Sequence, residues 1–82
     1  MNPRVAKVKP QANYTLHLVF KNGEEKIFDL KPYLEIGVFK SLKNEVLFAS
    51  AHVEYETVVW QNNIDIDPDT LYLEGSPIKI QA

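Results

Sequence analysis

The sequence predicts an α+β domain, with a small, mostly antiparallel sheet of two hairpins packed against two short helices. Three observations carry that prediction. Tyr14, Leu16, Leu18 and Phe20 are large and apolar at every second position, the period of a half-buried strand. Val38, Phe39, Leu42, Val46, Leu47 and Phe48 recur at three- and four-residue spacing, an amphipathic helical stripe. β-branched and aromatic residues then return between His52 and Trp60.

Taken in order, Arg4–Pro10 alternates loosely and ends at proline, as an edge strand does. Tyr14–Phe20 and Lys26–Leu30 form a hairpin whose turn holds Asn22-Gly23, a pair suited to positive φ. Lys31–Leu34 reads as one helical turn opened by Pro32 and stopped near Gly37. The stripe that follows is interrupted at Asn44-Glu45, giving two short helices. His52–Tyr55 and Thr57–Trp60 make a second hairpin around Tyr55-Glu56. After a turn at Gln61-Asn62-Asn63 comes a short strand, Ile64–Ile66. Asp67 as N-cap and Pro68 at the first helical position then open one turn of helix reaching Leu73. Residues 1–73 are read as a single domain on one sheet, and 74–82 as a tail or an extra edge strand. In that tail Ile78 and Ile80 alternate with Lys79 and Gln81, so Pro77–Gln81 either adds to a sheet edge or orders only on a partner. The expected core is Leu16, Leu18, Phe20, Phe28, Phe39, Leu42 and Phe48.

Composition bounds the function. At 82 residues and 9.4 kDa the chain buries roughly 63% of its unfolded surface. That is one modest core with no room for an enclosed cofactor, and none is expected. The absence of cysteine excludes disulfide and thiolate chemistry. No signal-like or membrane-spanning apolar run occurs, and the expected location is cytoplasmic. The net charge of −2 conceals a split: residues 1–43 carry eight Lys and Arg against four acids, and residues 44–82 carry one against seven. Such asymmetry marks either a docking face or two halves that neutralise each other within one fold.

Constellations for chemistry are weak. Asp65-x-Asp67-x-Asp69 opens like a calcium loop, but Thr70 stands at the glycine position and Ser76 at the bidentate glutamate position. The aspartates are better read as caps and turn residues. His17 and His52 lack metal-ligand spacing and read as surface histidines. Ser41, Ser50 and Ser76 lie in no nucleophile elbow, and Gly23, Gly37 and Gly75 are too dispersed to cradle phosphate. No enzyme is expected.

Several stretches resemble the small bacterial domain-of-unknown-function family 2442. They are Asn2-Pro3-Arg4, Phe20-Lys21-Asn22-Gly23, Asp29–Leu34, Gly37-Val38-Phe39, and above all the run from Val58 through Trp60 and Asp65-Ile66-Asp67-Pro68-Asp69 to Tyr72. The resemblance covers about residues 2–73. It departs at Gln61-Asn62-Asn63, where relatives often have Pro-Asn-Gly. It implies a compact α+β fold without an established catalytic site. Some relatives precede a helix-turn-helix, which has no counterpart in this sequence. Others are encoded beside a second small domain in an arrangement resembling toxin–antitoxin pairs. The expectation is therefore a non-enzymatic protein-interaction module whose partner is a small cognate protein or a second copy. The alternative is a nucleic-acid-associated regulatory domain using the basic half. Trp60, Asp65, Asp67, Asp69, Tyr72, Ile78 and Ile80 are the candidate interaction or structural signature.

Overall fold

The alternation of Leu16, Leu18 and Phe20 forms a strand whose inward side chains are all buried. The computed structural model describes residues 2–78. Strands β1 (Val5–Gln11), β2 (Thr15–Phe20), β3 (Glu25–Asp29) and β7 (Ser76–Pro77) make one antiparallel sheet in the order β1-β2-β3-β7. Strands β4 (His52–Glu54), β5 (Thr57–Val59) and β6 (Asp65–Ile66) make a second antiparallel sheet in chain order. The helices are α1 (Glu45–Phe48) and α2 (Pro68–Glu74), and 3₁₀ segments precede α1 at Ala12–Tyr14, Lys31–Tyr33 and Gly37–Lys43. The α+β class and both hairpins are as the sequence predicts. The single sheet is not: the second hairpin pairs with β6 and stays separate from β2 and β3. A backbone bond from Val5 N–H to the Glu56 carbonyl, 3.0 Å, joins the start of β1 to the β4–β5 turn.

The first hairpin closes differently from the expected positive-φ pair. Only Gly23, at φ 90°, is left-handed, and its N–H donates to the Phe20 carbonyl at 2.9 Å. This is a three-residue loop in which one left-handed glycine completes the turn. Asn22 instead accepts from the Glu24 N–H through its side chain at 3.0 Å.

The helical stripe divides at Asn44, whose side chain accepts from Val46 N–H (2.9 Å) and Leu47 N–H (3.2 Å) and so caps α1. Because Gly37–Lys43 winds as 3₁₀, the stripe does not keep a 3.6-residue register across this cap. Leu42 and Phe48 reach the core, Phe39 is half-buried, and Val38 (64%) and Val46 (83%) are exposed. The expectation that Phe39 and Val46 pack in the core is thereby corrected.

One core joins both sheets and the helices. Val5, Leu16, Leu18, Phe20, Phe28, Leu30, Leu42, Val58, Trp60 and Leu71 are all essentially inaccessible. Tyr14 lies in the 3₁₀ turn before β2, at φ 58°, and packs its ring edge-on against Phe48 with centroids 5.3 Å apart.

Helix α2 runs seven residues, longer than the single turn expected. Asp67 caps it by accepting the Asp69 N–H at 3.1 Å. Asp67→Ala should cost about 1 kcal/mol in chemical denaturation. A calcium titration of the parent followed by Trp60 fluorescence should show no saturable change at micromolar ion. Beyond Gly75 the chain turns to pair Ser76 with Ile27 and Pro77 with Lys26. A Cβ at position 75 would lie 2.7 Å from the Leu71 carbonyl oxygen, which explains glycine there.

Candidate functional site: the Tyr55 turn and the Trp60–Tyr72 segment

The segment from Trp60 to Tyr72 serves mainly the interior. Trp60 is fully buried, and its indole N–H donates to the Phe48 carbonyl at 3.0 Å, tying α1 to the end of β5. The following turn closes with Asn63 at φ 59°: Trp60 N–H donates to the Ile64 carbonyl at 2.8 Å, and the Trp60 carbonyl accepts the Asn63 N–H at 3.1 Å. Asparagine supplies the left-handed residue here.

The three aspartates have separate surroundings. Asp65 is exposed on β6 opposite Val59, and Asp67 caps α2. Asp69 accepts from the Asn2 amide at 3.4 Å and lies 3.9 Å from the Arg4 guanidinium. Among the described residues no three Asp, Glu or His side chains converge as a metal cluster would. His17 Nε2 pairs with a Glu25 oxygen at 2.8 Å. His52 lies 2.9 Å from both the Ser50 carbonyl and Glu54. Those two contacts, the backbone one foremost, raise the His52 pKa.

Tyr72 docks α2 onto the first hairpin. Its ring meets Phe20 edge-on at 5.1 Å, and its hydroxyl donates to Glu24 at 2.9–3.0 Å, which raises its pKa. The Lys26 ammonium sits 3.6 Å above the same ring and donates to the Tyr72 carbonyl. Lys26 is buried (7%), and sequence reasoning missed this role. Its parity with Phe28 and Leu30 was the available signal. Burial is tolerable because the cation meets both an aromatic face and a carbonyl near a helix C-terminus. On the neighbouring side the Tyr33 hydroxyl donates to Glu74, and that bond, with burial, pushes its pKa up to about 12. Ile78 extends the β7 pairing through its N–H to the Glu25 carbonyl at 3.1 Å and remains partly exposed. Ile80, the other apolar tail residue, lies outside the described residues.

Among the described residues the most exposed large hydrophobic side chain lies outside the candidate signature. Tyr55, 90% exposed, stands at the tip of the β4–β5 hairpin. Tyr55 and Glu56 both take left-handed backbone, φ 52° and 63°. Two-residue hairpin turns of this hand normally use Asn or Gly, so tyrosine there is held against its own preference. The turn is clamped from one side: the Glu56 carbonyl accepts Val5 N–H, and the Glu56 carboxylate pairs with Lys21. That ammonium lowers the Glu56 pKa. Two surface hollows of about 210 and 240 Å³ lie elsewhere, lined by Tyr14, Glu45 and Phe48 and by Glu24, Pro77 and Ile78. Both are smaller than the roughly 300–1,000 Å³ usual for small-molecule sites.

The model of the family described as protein of unknown function (DUF2442) matches residues 5–76. The chain belongs to this family. No curated protein and no solved structure matches it. The match begins at the first residue of β1 and ends at the first residue of β7, so in this DUF2442 domain it takes in all of both sheets but Pro77. The two charge halves meet within the fold at Arg4–Asp69 and Lys21–Glu56, while Lys31–Asp29 and Lys43–Glu35 pair inside the first half. No helix of the described residues is long and apolar enough to cross a membrane.

Proposed function

We propose that this DUF2442 domain is a non-enzymatic protein-interaction module whose partner is a small cognate bacterial protein, in the manner of an antitoxin. The observation that carries the reading is the Tyr55 turn. A tyrosine with 90% exposure, on backbone fixed by Val5 and Lys21, loses little further entropy on docking. Tyrosine is also among the residues most enriched at interface hot spots. A strained backbone that exposes an aromatic costs stability without serving the core, and a partner offsets that cost.

The test uses the full chain immobilised and exposed to extract of its native host. A small protein should be retained at equimolar ratio by the parent and lost with Tyr55→Ala, while Asp65→Asn retains it. Arrest of growth by the captured protein alone, relieved by co-expressing this domain, would support the antitoxin-like role. Retention unaffected by Tyr55→Ala sinks the reading. Capture of nucleic acid instead, weakening steeply with added salt, would favour a regulatory domain using the basic half.

A further inference from the structure

We infer that the outer face of the β1–β2–β3 sheet is self-complementary and pairs two copies of this chain face to face, about a two-fold axis running along β2. The register defines the face. Leu16 and Leu18 point into the core, so Thr15, His17 and Val19 point out. Their cross-strand partners on β1 are Gln11, Lys9 and Lys7, and on β3 they are Asp29, Ile27 and Glu25. Residues directly opposite in an antiparallel pair share a face. The outer face therefore carries a basic column on β1 (Lys7, Lys9) and an acidic column on β3 (Glu25, Asp29). Between and beside them stand the half-buried His17, Val19 and Ile27. Lys7 and Lys9 form no ion pair among the described residues. The Glu25 and Asp29 side chains already meet His17 and Lys31 but are 39% and 49% exposed, which leaves each carboxylate a face reachable from outside.

Symmetry selects the occupant. Rotation by a half turn about an axis along β2 sets the lysine column of each copy over the acidic column of the other, twice over. The same rotation about an axis across the strands would stack lysines on lysines. A face with one basic and one acidic column on either side of an apolar centre is thus matched by its own copy, as a closed isologous interface requires. The apolar contribution comes from Val19 and Ile27, which face away from the core cluster and whose remaining exposed surface is covered only from outside the fold.

Area sets the strength. Three strands about 4.8 Å apart, over six residues of about 3.3 Å, offer roughly 300 Å² per copy. Stable interfaces bury about 800 Å² per partner, so the pair should be weak, with dissociation between about 10 μM and 1 mM. The inference does not depend on the Tyr55 reading, because that turn lies on the other sheet. Loss of either property leaves the other standing.

Sedimentation equilibrium of the 82-residue chain at low salt, from about 10 μM to 2 mM, is the measurement. The mass should rise from monomer toward dimer and fall back as salt is added. Lys7→Glu with Lys9→Glu should weaken self-association at least about tenfold, and Glu25→Lys should do the same. An equimolar mixture of the two variants should restore a heterodimer, since an all-acidic face then meets one whose three lysines outnumber the remaining Asp29. Asp29 is left alone because its carboxylate also accepts the Lys31 N–H. The Lys7 and Lys9 side chains project from exposed positions, so that variant remains informative even where Glu25→Lys disturbs folding. A parent still monomeric at 2 mM overturns the inference. So does a dimer indifferent to the lysine reversals.

Discussion

Trp60→Ala should leave the domain largely unfolded at 25 °C. The indole is fully buried among Phe48, Val58 and Leu71, members of the single core cluster. Removing a buried aromatic costs about 3–5 kcal/mol through lost transfer energy and the cavity left behind. The Phe48 carbonyl, which accepts the indole N–H at 3.0 Å, would lose its donor at a further cost of about 1–3 kcal/mol. At roughly 0.05–0.15 kcal/mol per residue the whole domain has only about 4–12 kcal/mol of stability. Trp60→Phe keeps most of the ring volume but not the donor, so it should fold with a lowered urea midpoint and an unchanged slope. A Trp60→Ala protein that still unfolds cooperatively near the parental midpoint would show that the α1–β5 tie is dispensable.

Leu18→Ala should cost about 2–5 kcal/mol, whereas Val19→Ala, one residue along the same strand, should cost under about 1 kcal/mol. Leu18 is wholly inaccessible beside Leu16 and Phe28, while Val19 lies on the outer face opposite Lys7 and Glu25. For a domain of this size each kcal/mol lowers the melting temperature by about 4–8 °C. The contrast between neighbours is the sensitive part, because a register slip of one residue would exchange their roles. Equal melting temperatures for the two variants would falsify the register described for β2.

The position of stability also bears on the proposed roles. The buried Trp60–Phe48 tie and the partly buried Tyr72–Phe20 contact hold the elements together. Exposed groups of the kind a partner can read lie at the Tyr55 tip and on the outer sheet face. The signature that made the family recognisable is thus mostly structural in Trp60, Asp67 and Tyr72. The exposed turn that carries the proposed interaction lies outside it.

Much of this was legible in the sequence where the physics is local. The alternation from Leu16 to Phe20, the Gly23 turn, the Asn44 break and the Asp67-Pro68 helix start each follow from neighbours within a few residues. Strand period and capping are properties of such short spans. The family resemblance was legible for the same reason, through motif residues contiguous in the chain. What the tertiary structure alone decided involves partners far apart in sequence. The second hairpin takes β6 as its third strand and forms a sheet of its own, a pairing between segments that the local pattern does not specify. Lys26 became tolerable inside only because Tyr72, 46 residues away, offered it a ring and a carbonyl. Val46 and Tyr55 look like core residues by composition, yet both stand in solvent. The 3₁₀ winding before Asn44 turned Val46 outward, and the Val5 and Lys21 contacts fixed the turn that presents Tyr55. Hydrophobicity states what a side chain gains from burial, but only the packed arrangement of distant segments determines which side chains find room there.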